Sequence, residues 1–265
     1  MNRLSIYCVV LSAFFSVQAL PAQEFMTKNY KLGWADEFNG KGLVDSAKWR
    51  YEVGKIRNQE AQYYTKDRVE NVRQEKGNLI IETIKESYLG SEYTSGSINT
   101  KGLYSFTGDF RVEVRAILPS GKGIWPAIWM MGTDPEKVGW PRCGELDIME
   151  FVGHTPDTVH FNMHWFDVPS DKKLSKGTRI PMTTLHDRYH IYGLERVGDV
   201  IQVFVDKTIV MTFKKPEGSY GDSFVSPLYL LLNTAIGGAW GGEIDPSVCP
   251  QKFVIDYVRA YYPRK

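Results

Sequence analysis

Cysteine is scarce in this chain of 265 residues, which contains only three. They form no CxxC pair and no array with histidine at zinc-site spacing, so the sequence excludes a zinc-stabilised module. Cys143 and Cys249 lie beyond the N-terminal segment. The sequence leaves open whether these two form a disulfide or stay as two buried thiols.

Excess charge of one sign is also lacking, because 32 Lys and Arg face 31 Asp and Glu, for a formal net charge of +1. No overall field therefore favours nucleic acid or a membrane surface, and we expect neither as a partner. Long stretches of 3.6-residue periodicity, internal repeats and low-complexity linkers are missing too. We therefore expect few, short helices and one domain over residues 23–265.

The N-terminus reads as a targeting segment. Arg3 precedes an apolar run over residues 4–20, and small residues before Gln23 offer cleavage sites. A membrane anchor is the alternative, but the run is short and no stop-transfer pattern follows it. Cys8 stands too early for a lipoprotein cysteine. We predict a signal peptide over residues 1–22 and a secreted or periplasmic chain with no membrane span after cleavage.

Strand-like segments with period-2 alternation recur along the chain, separated by Gly, Asp, Asn or Pro. This pattern predicts an all-β sandwich. The clearest segments are GNLIIETIKE, GDFRVEVRAILP, FVIDYVRAYY and the stretch DRYHIYGLERVGDVIQVFVDKTIVMTF, which reads as three strands joined by two turns.

One predicted strand, CGELDIMEFVG, carries Glu145, Asp147 and Glu150 among apolar residues. Residues i and i+2 share a strand face, so Glu145 and Asp147 point the same way, whereas regular pleating sends Glu150 to the other side. A β-bulge at about Ile148 or Met149 would return Glu150 to their face, and bulges often re-aim side chains near active sites.

Three functions fit three carboxylates on one face: catalysis, a solvated outer face, or a calcium site. Like charges in a partly dry groove cannot all ionise normally, so at least one pKa must rise. A protonated acid beside an ionised carboxylate is suited to cleaving a glycosidic bond, and a separation of about 5 Å indicates a retaining mechanism.

Aromatic residues surround this strand in the sequence. Trp125 and Trp129 share one face of the segment GKGIWPAIWMMG, Trp140 follows in a Gly/Pro-rich loop, and Trp240 stands in the Gly-rich segment GGAWGG. Core packing is the ordinary role for such rings, but rings with polar neighbours also suit the flat faces of sugars. In VHFNMHWF, His164 is either a hydrogen-bond donor to substrate or a structural histidine.

GELDIMEFVG resembles the ExDxxE signature of glycoside hydrolase family 16, in its bulged, laminarinase-like branch. Further blocks resemble the family in the usual order: WADEFNG, NQEAQYYT, YTSGSINT, GKGIWPAIWMMG, YHIYGLE, LLLNTAIGGAWGG and IDYVRAYY. The resemblance implies an all-β concanavalin-like jelly roll of two curved antiparallel sheets. It also implies an open cleft on the concave face, where internal bonds of β-glucan are hydrolysed with retention.

By resemblance, Glu145 matches the nucleophile, Glu150 the general acid/base, and Asp147 the acid that tunes its neighbours. Substrate-binding positions are implied at Asn58, Trp125, Trp129 and His164. Trp240 matches an aromatic of the Gly-rich loop that lines the cleft, and Trp140 joins these candidates.

No cofactor is implied for catalysis, but many members bind a structural calcium ion. The corresponding positions here are the regions of Glu37 and Gly77, together with Asp256. We take these as candidate ligands for a structural Ca²⁺.

One position departs from the pattern, because Ser97 stands where many laminarinase-like members have arginine. Serine cannot replace the planar five-donor guanidinium over the same reach. A contact in the non-reducing half of the cleft is therefore lost or altered, which leaves room for mixed-linkage β-1,3-1,4-glucan beside β-1,3-glucan.

The sequence thus predicts a secreted, monomeric, retaining endo-β-glucanase whose partner is the polysaccharide. A transglycosylase and a non-catalytic glucan-binding protein on the same fold are the alternatives. Galactans also stay open as substrates, because galactan-cleaving relatives share the acidic motif.

Overall fold

Two β-sheets account for most of the residues described in this computed structural model, which are 29–214, 224 and 227–264. The predicted signal peptide, residues 1–22, lies outside the described residues. Within the described chain, no helix is long and apolar enough to cross a membrane.

The large sheet has ten strands and runs in the order β15-β14-β13-β8-β17-β5-β6-β3, with β1 added to β17 and β4 to β5. Its strands are β1 (Tyr30–Asp36), β3 (Gln62–Tyr64), β4 (Val72–Glu75), β5 (Asn78–Tyr88), β6 (Ser91–Ser95), β8 (Phe110–Ile117), β13 (His190–Val197), β14 (Val200–Val205), β15 (Thr208–Lys214) and β17 (Gln251–Pro263).

The small sheet has seven strands in the order β12-β11-β10-β9-β16-β7-β2. They are β2 (Arg50–Tyr51), β7 (Ser97–Asn99), β9 (Ile124–Gly132), β10 (Glu145–Phe151), β11 (Thr158–Asp167), β12 (Lys172–Pro181) and β16 (Leu228–Ile236). Pairing is antiparallel in both sheets, apart from the parallel pair of β3 and β6 among the described strands.

The strands predicted from alternation are confirmed as β5, β8, β13, β14, β15 and β17. The expectation of few, short helices is also confirmed, since the described residues contain α1 (Pro135–Val138) and α2 (Gly238–Gly241). Trp240 lies in α2, so the prediction of a Gly-rich loop at this point was wrong. Cys143 and Cys249 are free thiols, and the disulfide alternative is not realised in the structure.

The core lies between the two sheets and follows from the alternation in each strand. Val112 and Val114 of β8 point into it from the large sheet, and Leu146 and Ile148 of β10 point into it from the small sheet; all four are fully buried. Burying such side chains contributes about 1.5–3 kcal/mol each, so the packing holds β10 in place. The opposite face of the small sheet stays available for a site.

Two glycines bracket β10. Gly144 has φ +79°, a conformation that L side chains rarely adopt. A Cβ on Gly153 would lie 1.7 Å from the carbonyl oxygen of Gly121, so only glycine allows this close backbone approach. Both ends of the acidic strand are therefore fixed by positions that tolerate no side chain.

Candidate active site

The acidic strand β10 carries the predicted bulge. Against β9, Asp147 pairs with Trp129 and Met149 pairs with Ile128, so the register shifts between Asp147 and Met149. Against β11 the shift lies between Asp147 and Glu150. The sequence prediction of a bulge at Ile148 or Met149 is confirmed.

The bulge adds one residue to β10, so two consecutive side chains face the core. Ile148 and Met149 are fully buried in the core, whereas Glu145, Asp147 and Glu150 all line the same cleft. On β9, the partners of Glu145 and Glu150 are Met131 and Ala127, only four residues apart. At about 3.3 Å per residue the strand distance is therefore about 13 Å instead of about 16 Å, and inward-leaning Glu side chains span much of it.

The cleft is a cavity of about 320 Å³ over β9, β10 and β16. It contains every predicted catalytic residue and four of the predicted binding residues. Its lining consists of Arg57, Asn58, Glu60, Trp125, Ala127, Trp129, Met131, Trp140, Glu145, Asp147, Glu150 and Asn233.

Glu150 is a buried acid of the cleft, with 8% of its surface exposed. Its Oε1 accepts a hydrogen bond of 3.1 Å from the indole N–H of Trp125. Burial, followed by repulsion from Asp147, raises the pKa of Glu150 well above its usual range, against the smaller effect of Trp125. Glu150 is therefore suited to hold a proton near neutral pH.

Glu145 has partners that favour its ionised form. The indole N–H of Trp140 donates to its Oε2 at 3.0 Å, and Nε2 of His164 lies 3.9 Å from its Oε1. Burial raises the pKa of Glu145, while His164, Trp140 and Arg57 lower it. These three residues limit the rise in the pKa of Glu145. Of Glu145 and Glu150, Glu145 is therefore the better candidate for the ionised carboxylate.

Asp147 lies between the two glutamates and is 4% exposed. Its Oδ2 is 3.5 Å from Nε2 of His164. Burial and then repulsion from Glu145 raise the pKa of Asp147 well above its usual range. The three acids therefore form one interacting set, in which each charge disfavours the next.

The predicted tryptophans take two different positions. Trp125 and Trp129 are 9% and 7% exposed, so they form the cleft floor and present only narrow surfaces to a ligand. Trp129 donates its indole N–H to Asn233 Oδ1 at 2.8 Å. Trp140, in contrast, is 48% exposed and offers an open ring face beside Glu145.

Of the predicted binding residues, Trp240 and His164 are not among those that line the cavity, and Trp240 packs behind Trp125. Its ring packs edge-on against Trp125 and against His160, with centroid separations of 5.4 Å and 5.0 Å. The backbone N–H of Ala239 bonds to the carbonyl oxygen of Asn58, which ties α2 to the segment before β3. Trp240 and Asn58 are thus held together although they lie far apart in the sequence.

Three polar residues of the cleft were not predicted: Arg57, Glu60 and Asn233. Glu60 accepts hydrogen bonds from Asn58 at 3.2 Å and from Gln62 at 2.6 Å. The only sequence signal for Arg57 and Glu60 is that they flank the predicted Asn58. Asn233 has no such signal, because β16 reaches the cleft only through its pairing with β9.

One group of side chains has the spacing of a metal site, since ligand atoms of Glu145, Asp147 and His164 lie within 4.8 Å of one another. Calcium prefers oxygen ligands alone, and the histidine nitrogen suits it poorly. The set fits better as two carboxylates with a histidine ring 3.5 Å and 3.9 Å away.

The positions proposed for calcium carry carboxylates that already have partners. Both oxygens of Glu37 accept hydrogen bonds of 2.8 Å from Arg259, and Asp256 forms an ion pair with Arg115. Gly77 could offer only its backbone carbonyl oxygen as a ligand. The carboxylates of Glu37 and Asp256 are thus held by arginines, and calcium binding stays a prediction that no step below depends on.

The comparisons with known proteins agree with this geometry. The family model described as Glycosyl hydrolases family 16 matches residues 58–259. A beta-glucanase of Rhodothermus marinus is 43% identical over 246 residues, which cover 88% of this chain and 85% of that protein. A glucan endo-1,3-beta-glucosidase of Cryptopygus antarcticus is 35% identical and covers 87% and 91%.

Solved structures give the same result for the fold. The laminarinase from Rhodothermus marinus superposes with a TM-score of 0.82 at 41% identity, covering 89% of this chain and 98% of that one. A mutant of a non-specific endo-beta-1,3(4)-glucanase, co-crystallised with 1,3-beta-D-cellobiosyl-cellobiose, gives 0.80 at 43%, covering 88% and 94%. The two-sheet sandwich is thus the jelly roll of these enzymes, and the chain belongs to glycosyl hydrolase family 16.

Proposed function

We propose that the protein is a retaining endo-β-glucanase that hydrolyses internal bonds of β-1,3-glucan and mixed-linkage β-1,3-1,4-glucan. The observation that carries this proposal is the bulged strand β10, which turns Glu145, Asp147 and Glu150 toward one cleft. Without the bulge, Glu150 would point to the core and no acid–nucleophile pair would exist.

In the first step Glu150, which burial and repulsion keep protonated, donates its proton to the glycosidic oxygen. The carboxylate of Glu145 attacks the anomeric carbon, and the bond between that carbon and the leaving oxygen breaks. The leaving sugar departs with the proton as a hydroxyl group. The donor sugar stays attached to Glu145 as a covalent ester.

In the second step the roles of Glu150 reverse. As a carboxylate it removes a proton from water, and the water oxygen attacks the anomeric carbon and displaces Glu145. Two inversions give net retention. The negative charge moves from Glu145 to Glu150 in the first step and back in the second. Asp147 lies between the two glutamates, and its charge raises the pKa of Glu150.

The substrate class rests on the cleft lining and on the relatives. Trp125 and Trp129 form an aromatic floor, and Asn58, Glu60 and Asn233 supply hydrogen-bonding groups for hydroxyls. Similar proteins include a glucan endo-1,3-beta-glucosidase and a non-specific endo-beta-1,3(4)-glucanase. A relative that is 32% identical is a keratan-sulfate endo-1,4-beta-galactosidase, so galactans belong in the test.

A product profile on laminarin, lichenan, barley β-glucan and agarose tests the proposal. We expect internal cleavage of the first three, seen as a rapid fall in viscosity with release of short oligosaccharides. Cleavage of agarose alone would contradict the β-glucan assignment. Products longer than the substrate would favour the transglycosylase, and binding without turnover would favour the glucan-binding protein.

We also propose that the chain is exported and acts as a monomer. The apolar segment that follows Arg3 supports export, and the ordinary balance of surface charge and buried apolar residues supports a monomer. Mass spectrometry of the mature protein from culture medium or periplasm would give the cleavage site, and light scattering would give the oligomeric state. A cell-associated protein that keeps residues 1–22 would contradict export.

A further inference from the structure

Ser97, the residue that stands where many laminarinase-like members have arginine, is fully buried on β7. Its hydroxyl donates a hydrogen bond of 2.5 Å to Oε2 of Glu52. The backbone N–H of Glu52 in turn bonds to the carbonyl oxygen of Ser97 at 3.0 Å. The serine therefore serves to fix a carboxylate that lies just after β2.

The same carboxylate holds a guanidinium from another part of the chain. Arg57 donates from Nη1 to Oε1 of Glu52 at 3.2 Å and from Nη2 to Oε2, which makes the pair bidentate. The side chains of Arg57 and Glu52 are 24% and 21% exposed. Burial by itself would lower the pKa of Arg57, but Glu52, Tyr64 and Glu60 together outweigh this effect and raise it, so the cation is firmly held.

Arg57 points its charge into the cleft. Its guanidinium carbon lies 4.9 Å from the ring centroid of Trp129 and 6.0 Å from that of Tyr64. It lines the cavity together with Asn58 and Glu145, and its field lowers the pKa of Glu145. A positive group thus lies over part of the aromatic floor, where it would face a sugar bound in the cleft.

The guanidinium also keeps donors for a ligand. Arginine has a planar fork of N–H groups, and Glu52 is its only hydrogen-bond acceptor within the described part of the chain. A glucan offers many hydroxyl oxygens as acceptors, and a stacked guanidinium can meet them at the edge of a sugar ring.

We propose that Arg57 is a substrate-positioning residue that binds hydroxyls of a glucosyl unit next to it in the cleft. Glu52 and Ser97 hold it in place, and it takes over the contact that an arginine at position 97 would make. The cation that would bind this sugar thus comes from Arg57, before β3, instead of from position 97 on β7. This inference rests on the proposed function and specifies how its substrate is held.

In this proposal Arg57 contacts sugar hydroxyls and not the bond that breaks, so the contact is made equally in the ground state and the transition state. The constants are compared at a pH above the acid limb of the parent and of the variant, where Glu145 is ionised with or without the field of Arg57. Removing it should raise KM and leave kcat nearly unchanged. We expect Arg57→Gln to raise KM for laminarin roughly tenfold, the effect of one lost charge-assisted hydrogen bond, with kcat within about twofold of the parent. Arg57→Lys keeps the charge without the fork and should give a smaller rise.

Arg50→Gln is the matched control, because Arg50 is exposed on β2, two residues before Glu52. It should change neither constant by more than about twofold. Glu52→Gln should raise KM as Arg57→Gln does, and combining the two should cost little more than either alone. The melting temperature of each variant separates loss of fold from loss of binding. If Arg57→Gln does not fold, the rise in KM is measured on Arg57→Lys instead.

Binding of laminari-oligosaccharides to the Glu145→Ser protein, measured by calorimetry, gives a readout independent of turnover. Adding Arg57→Gln should weaken binding roughly tenfold. If the parent enzyme cleaves β-glucan but Arg57→Gln binds and turns over as the parent does, this inference is overturned while the proposed function stands. If the parent cleaves no β-glucan, the proposed function itself fails.

The double variant Arg57→Gly/Ser97→Arg tests whether an arginine at position 97 can make the contact that we assign to Arg57. We expect it to recover affinity relative to Arg57→Gly alone, because the new guanidinium starts beside Glu52. A folded double variant that binds no better than Arg57→Gly would overturn the claim that arginines at the two positions make the same contact.

Discussion

The acids on the two sheets differ in their partners. On the outer face of the large sheet, Glu37 is held by Arg259 and Asp256 is paired with Arg115. In the cleft over the small sheet, no lysine or arginine of the described chain forms an ion pair with Glu145, Asp147 or Glu150. The pKa of Glu37 is lowered by its arginine, whereas the pKa values of all three cleft acids are raised, chiefly by burial.

This difference shows that environment decides what a carboxylate does. An arginine at hydrogen-bond distance keeps an acid ionised, and such a pair contributes to the surface structure. Burial next to other acids, without a cation in contact, leaves one group protonated and ready to donate. The cleft therefore has the electrostatics of acid–base catalysis, and the outer face does not.

The largest expected effect comes from removing the acid itself. Glu150→Gln keeps the shape of the side chain but cannot exchange a proton, so we expect kcat on laminarin to fall about 10³-fold. Asp256→Asn on the outer face is the matched control and should stay within about twofold of the parent. Similar losses in both variants would show that fold, and not chemistry, is affected.

The pH profile sharpens the comparison further. Repulsion from Asp147 helps to raise the pKa of Glu150, so Asp147→Asn should lower that pKa. Since Glu150 must be protonated to act, the alkaline limb of kcat/KM should move to lower pH. Glu37→Gln, measured alongside, should leave the limb in place. A shift to higher pH in Asp147→Asn would refute the assigned coupling.

The acid limb of the kcat/KM pH profile tests Glu145, which must be ionised to act. The hydrogen bond from Trp140 lowers the pKa of Glu145, and Trp140→Phe removes it while keeping an aromatic ring. The pKa of Glu145 should then rise, and the acid limb of kcat/KM should move to higher pH. An unchanged limb would mean that Glu145 is not the group that titrates there.

On the outer face the expected effects are on stability and are small. Glu37 and Arg259 are 40% and 34% exposed, so solvent screens the pair and Glu37→Gln should cost about 0.5 kcal/mol of unfolding free energy at pH 7. Because the folded pKa of Glu37 is lowered, this contribution is present above the unfolded pKa of about 4.3 and disappears as pH falls through the folded value. Urea titrations at pH 7 and near pH 2 would measure both.

Calcium should have the smallest effect. Arginines already neutralise Glu37 and Asp256, so adding calcium or a chelator should change the melting temperature by less than about 2 °C. A larger shift would show that the arginines give way to the ion and that the sequence-based calcium prediction is right.

Local pattern was enough to predict much of the structure. Period-2 alternation located six of the strands, and the step from ExD to DxxE located the bulge, because a spacing of three is incompatible with one regular strand face. Trp125 and Trp129 were likewise placed on a common face by their even spacing. Each of these inferences needs only neighbours along one strand.

What the sequence could not predict depends on contacts between distant segments. Arg57 acquires its position from Glu52 and Ser97, and Asn233 enters the cleft through the pairing of β16 with β9. The exposure of each ring also depends on packing, which is why Trp129 is nearly buried and Trp140 is open. Spacing carries no information on such contacts.

The central claim is that β10 presents Glu145 as a nucleophile to the same sugar that Glu150 protonates. Incubation with a 2-deoxy-2-fluoro laminaribiosyl fluoride, followed by proteolysis and mass spectrometry, tests it most directly, because the fluorine slows release of the covalent intermediate. The account predicts time-dependent inactivation with one glycosyl group on Glu145. A label on Glu150, or an enzyme that turns over glucan with inversion and takes no label, would contradict it.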